Sequence, residues 1–177
     1  MEGYGYSGVT RKSNEDLVEE FLKKAEKRYG PRFDGVRFEV QESRPGGELG
    51  SHWDESTNRV TIRLPKEQSD YDRKGQLAQE SIHVLSPAKE KEAKEFDRGL
   101  ATFFAVHVEG YPRPDRNQPN YLAALEAVER LNERCPDAVR KLLSAHQRLA
   151  LISAEQIIKV CPGFLESDAR FLVQPIY

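Results

Sequence analysis

The apolar periodicity of this chain changes once, near residue 70, and that change limits the folds open to it. Before it, residues 36–41 alternate apolar and polar side chains. Val60, Ile62 and Leu64 share one face of a second such stretch, opposite Thr61 and Arg63. A period of two is that of a half-buried strand. After it, apolar positions recur at three- and four-residue spacing almost to the end, as in helices with one buried face. A helix with Leu17, Val18, Phe21, Leu22, Ala25 and Tyr29 on one face precedes the strands. Segregation of this kind predicts an α+β domain and not the alternating units of a parallel sheet. The expected architecture is a small N-terminal antiparallel sheet before residue 65, packed on a mostly helical part after residue 72.

The elements follow from local chemistry. Asn14 is the expected cap of the first helix, and Gly30-Pro31 ends it. A turn at Pro45-Gly46-Gly47 precedes a hairpin of residues 49–54 and 59–64 across Glu55-Ser56-Thr57-Asn58. Asp72 is placed as the cap of a helix to about Leu85. A second long helix is expected over 89–108, others over 121–134 and from Pro136. Ser153 and Gln156 form a capping box, and a short last helix lies near 166–172. Residues 1–13 read as a flexible arm and 14–177 as one domain. No glycine-rich phosphate loop appears.

Composition narrows the function classes. The formal net charge is −2, from 27 Lys+Arg against 29 Asp+Glu. No phosphate-coating or membrane-coating role is expected, so neither nucleic acid nor membrane is assigned as a partner. No apolar run approaches the roughly 18 residues of a membrane span, and Met1–Arg11 has no apolar leader segment. A cytoplasmic protein is the expectation. Cys135 and Cys161 lie 26 positions apart. In such a chain they are expected as buried, reduced thiols, with a structural disulfide as the alternative.

One helix carries a polar stripe. Leu77, Ala78, Ile82 and Leu85 form an apolar face, while Gln76, Gln79, Glu80 and His83 fall at i, i+3, i+4 and i+7 on another. By periodicity alone this is a solvated face. Gln79-Glu80-Ser81-Ile82-His83, however, is similar to the zincin motif H-E-x-x-H with Gln in place of the first His. On the next helix, Gly99-Leu100-Ala101-Thr102-Phe103 resembles the E-G-L-A-[TS]-[YF] stretch of gluzincins, with Arg98 where those proteins carry Glu. The likeness covers roughly residues 36–108 and identifies the chain as similar to a gluzincin-type zinc metallopeptidase domain with a degenerate metal site.

The resemblance implies a zincin-like fold and a specific set of losses. In active members two His one turn apart and a Glu from the next helix hold Zn²⁺, and the Glu of H-E-x-x-H is the general base. Here Glu80 keeps the base position and His83 is the only surviving matched ligand. Gln79 is a weak neutral donor. Arg98 has no lone pair and a permanent charge. At about 4 Å and an effective dielectric of about 20, one unit pair is worth roughly 4 kcal/mol, more against a divalent ion.

The expectation is therefore a pseudoenzyme with no cofactor. Gln79, Glu80, His83 and Arg98 would line a cleft reused for a protein, a peptide or a small anion. Glu80 would be a vestigial base paired with Arg98. Arg98 pairing with Glu95 one turn earlier is the other reading of that residue. The functional alternative is an active hydrolase that uses Glu80 as general base, either without metal or on an atypical zinc site completed from His52, Glu95, Asp97 or His107.

Overall fold

The structure, a computed structural model, describes residues 12–44, 47 and 49–176. The expected arm falls outside the described residues except for Lys12 and Ser13. The described residues form an α+β arrangement of three strands and seven α-helices. Helix α1 (Asn14–Tyr29) precedes strands β1 (Arg37–Ser43), β2 (Gly50–Asp54) and β3 (Arg59–Pro65). Then follow α2 (Asp70–Leu85), α3 (Glu95–Phe103), α4 (Pro119–Arg134), α5 (Ala138–His146), α6 (Ala154–Val160) and α7 (Glu166–Leu172). No described helix is long and apolar enough to cross a membrane.

The sheet corrects the expectation of antiparallel pairing. Its order is β1-β3-β2, with β3 antiparallel to β2 but parallel to β1. Burial explains this. Val60, Ile62 and Leu64 make β3 the most apolar strand, all three at most 1% exposed. It takes the centre, where both edges are paired, and the more polar β1 and β2 flank it. The β2–β3 hairpin is as expected. Asp54 accepts bonds from Ser56 N, Ser56 Oγ and Thr57 Oγ1, and Asn58 takes a positive φ of 48°, the turn chemistry of an Asx residue and a left-handed Asn.

The caps of α1 and α2 lie earlier than the apolar pattern indicates. Ser13, not Asn14, caps α1, and Ser69, not Asp72, caps α2. Each hydroxyl accepts the backbone N–H three residues on. The expected helix over 89–108 is three pieces: a 3₁₀ turn at Glu90–Glu92, α3, and a π-helical turn at Phe104–Val108. At its start, the Asp97 carboxylate accepts the Lys94 N–H at 2.8 Å. That cap explains why α3 begins at Glu95. Helix α5 starts at Ala138 and not at Pro136. The Ser153–Gln156 capping box of α6 is present.

Apolar residues from α1 through α7 and the sheet form one buried cluster. Helix α3 sits at its centre and crosses α4 at Gly99. A Cβ on Gly99 would lie 2.5 Å from the Ala124 carbonyl oxygen and 2.8 Å from Val128 Cγ2. The first contact is with backbone, which cannot rotate away. Gly99→Ala should therefore destabilise the chain by about 2 kcal/mol. Overpacking costs roughly 1–3 kcal/mol, and better helix propensity returns at most about 1. Urea unfolding measures this, and an unshifted midpoint would exclude the close crossing.

The cysteines also depart from expectation. Cys135 and Cys161, the cap residues ending α4 and α6, are joined in a disulfide. Both helices end there because a proline follows each cysteine and restricts the residue before it. The two stops bring the thiols within 5.8 Å between Cα atoms.

Candidate functional site

A cavity of about 760 Å³ opens between β2, α2 and α3. Gln79, Glu80, His83 and Arg98 all line it. The four residues singled out in the sequence thus share one wall, although α2 and α3 are joined by an irregular segment. Positions 79 and 83 stack one turn apart on α2. Position 98 faces the same space because Gly99 holds α3 against α4.

Of the two readings of Arg98, the pair with Glu95 is the one present. Arg98 does not pair with Glu80. Its Nη1 donates to both carboxylate oxygens of Glu95, at 2.7 and 2.8 Å, within α3. This pair is one turn long and largely shielded, with side chains 14% and 12% exposed. The guanidinium carbon also lies 5.2 Å from the centroid of the Tyr121 ring at the start of α4, a cation–π distance. Glu80 instead accepts from Gln76 Nε2 at 2.5 Å, again one turn back. Local i, i+3 and i, i+4 geometry wins both side chains over a cross-helix bridge. The Oε2 of Glu80 is buried without a hydrogen-bond partner among the described residues.

Behind this wall lies Asp97, 1% exposed, with one oxygen on the Lys94 N–H and Oδ1 without a partner among the described residues. Burial pushes its carboxyl up from 3.8 to about 6, against the opposing pull of the Lys94 N–H, His83 and the Lys94 ammonium. A folded-state value above the unfolded one means that the folded chain holds this proton more tightly. The contribution to stability is then largest below about pH 4 and is lost as pH rises through 6, by on the order of 2–3 kcal/mol. Asp97→Asn keeps an acceptor for the cap and removes the charge. The variant should therefore gain on the native chain by about that amount between pH 4 and 7.5, measured by urea unfolding. A gap that does not change with pH would count against a buried, titrating Asp97.

The other His and acidic candidates separate. His52 on β2 lines the cavity. His107 lies in the π-helical turn and pairs with Glu129 at 2.6 Å, beside Arg113. His146 ends α5. Glu95 serves Arg98, and Asp97 serves the start of α3. Among the described residues, no three His, Cys, Asp or Glu side chains are grouped to hold a metal ion. The zinc that the motif resemblance implies is not matched by this donor set, since a neutral amide and a guanidinium stand at two of its positions.

The chain matches no family model, no curated protein and no solved structure.

Three parts of the wall have no counterpart among the residues singled out in the sequence: Tyr121, the residues Leu49, Gly50, Ser51 and Trp53 around His52, and Ile176. Ile176 reaches the cavity because the last residues pair with the segment before α3, through Ile176 N–H to Ala93 O and Glu95 N–H to Gln174 O. Trp53 is placed by its indole N–H on Asn58, by an edge contact with Phe33, and by Arg148, 4.8 Å from its ring centre. Neither arrangement has a local sequence pattern. Both are set by which segments meet in three dimensions.

Proposed function

We propose that this chain is a zincin-like domain whose metal cleft has become a metal-free binding site. The observation that carries the reading is Arg98 in the wall of the cavity that Gln79, Glu80 and His83 also line. A divalent ion placed among those side chains would meet one imidazole, one neutral amide, a carboxylate engaged by Gln76 on one oxygen and buried on the other, and a fixed positive charge. Zinc sites need three or four donors of suitable charge and geometry. The vestigial base fits the same reading. One oxygen of Glu80 is engaged by Gln76, and the other is buried, so neither is presented to a substrate water. Protein, peptide or a small anion remains the class of ligand.

Metal content is the direct test. Protein purified without chelator and dialysed should carry less than about a tenth of an equivalent of zinc, because one imidazole is a weak site. Elemental analysis returning close to one zinc per chain would overturn the reading and favour the hydrolase alternative.

A further inference from the structure

The geometry points to a carboxylate as the group this cleft takes. Its donor would be the free edge of Arg98, and its carrier an amino-acid residue with a free carboxyl end. The inference rests on the metal-free reading above and names its ligand.

The donors left open carry the argument. Both bonds to Glu95 come from Nη1 alone. Nε and Nη2, the side edge of the guanidinium, have no partner among the described residues. That edge offers two parallel N–H groups, the fork that a carboxylate accepts in bidentate fashion. The Tyr121 ring, 5.2 Å from the guanidinium carbon, braces the group and limits its rotamers. Gln79 and His83 line the same cavity, one turn apart, and neither has a hydrogen-bond partner among the described residues. The wall therefore presents a cation and two uncommitted polar groups.

Charge selects among anions. Glu95 already offsets part of the Arg98 charge, and the other charged residues lining the cavity are two carboxylates, Glu80 and Glu90, against one cation, Arg63. A phosphate dianion would meet those carboxylates with double charge. A carboxylate brings one charge and a planar face. Gln79 and His83 add a further preference, since their open polar groups suit an amide next to the ligand's carboxylate. Carboxylate and neighbouring amide together describe the last residue of a peptide. At about 760 Å³ the cavity lies within the roughly 300–1,000 Å³ of small-molecule sites, which favours the peptide end over a single residue.

The test is calorimetric titration of the full chain with N-acetyl-glycyl dipeptides ending in Ala, Leu, Phe, Lys or Glu. Each is compared with its C-terminal carboxamide, and L-phenylalanine and inorganic phosphate are run alongside. At least one free acid should bind about 10- to 100-fold tighter than its amide, the range of a hydrogen bond to a charged group. Arg98→Gln should abolish that difference and leave the amide unchanged. Glu95→Gln, which frees Nη1, should tighten the acid. A purely structural role for Arg98 would not give that opposite sign. Gln79→Leu leaves the Arg98–Glu95 pair intact and should weaken the acid about threefold or more, so the test survives if Arg98→Gln does not fold. L-phenylalanine binding as tightly as the acid assigns the site to free amino acids, and weaker binding assigns it to peptide ends. Equal binding of acid and amide, no binding by any of the five acids, or tighter binding of phosphate overturns the inference. Those results leave the metal-free reading to the zinc measurement, which fails independently.

Discussion

The double substitution Gln79→His with Arg98→Glu is expected to raise zinc affinity at least about a thousandfold, or roughly 4 kcal/mol. Both positions line the cavity with His83. The change would supply two imidazoles one turn apart and a carboxylate from the neighbouring helix, the donor count of a three-ligand zinc site. It also removes the fixed positive charge of Arg98, which opposes the ion at the matched position. Glu95 would lose its partner and face a second carboxylate at i, i+3. Because both side chains are largely shielded, that costs more in the free chain than the few tenths of a kcal/mol of an exposed pair, and it is relieved when the metal binds. Neither single substitution should do as much. Gln79→His leaves Arg98 in the wall, and Arg98→Glu leaves only one imidazole. Competition with a chromophoric chelator reads the affinity, and cobalt substitution reads the geometry. A double variant that binds zinc no better than the native chain would show that positions 79, 83 and 98 do not converge, and the zincin-like reading would go with it.

Opening the Cys135–Cys161 bond is the second large effect expected. The bond spans a sequence separation of 26 and ties the end of α4 to the end of α6 across α5. Closing a loop of that length in the unfolded chain is worth about 3–4 kcal/mol in the chain-entropy account. For a chain of this size, that corresponds to a melting temperature lower by roughly 10 °C. Reductant on the native chain, and Cys135→Ala with Cys161→Ala, should agree. Coincident melts with and without reductant would remove the bond from the stability of the fold. The bond also bears on where the chain works. Disulfides persist in oxidising surroundings, so the cytoplasmic expectation carries this cost with it.

How far the sequence was legible follows a physical divide. Elements set by local periodicity and turn chemistry were readable. The hairpin across Asp54 and Asn58, the stop at Gly30 and the capping box at Ser153 all depend on neighbours within a few residues. Spacing places positions 79, 80 and 83 on one helix face, but it was the motif resemblance that singled them out and that added position 98 from the next helix. What failed depended on choices between distant partners. Whether β1 pairs with β2 or with β3 is decided by burial of the finished sheet, which put Val60, Ile62 and Leu64 at the centre. The two cysteines meet because two helices stop side by side. For Arg98 and Glu80 the choice ran the other way. Charge alone favours a cross-helix Glu80–Arg98 bridge as readily as the Glu95 pairing within α3, and the nearer partners Glu95 and Gln76 hold the side chains.

The Arg98-Gly99 pair separates two tasks in adjacent residues. Gly99 lies so close to the Ala124 carbonyl that α3 has little freedom to roll on α4. The rotational phase of the helix is thus set by a residue with no side chain. Arg98 inherits that phase and contributes only charge and hydrogen-bonding shape to the wall. Exchanging the side chain at 98 rewrites what the cleft attracts without asking the frame to move. On the reading proposed above, passing between an anion and a cation takes changes at positions 79 and 98 and none in the frame that holds them.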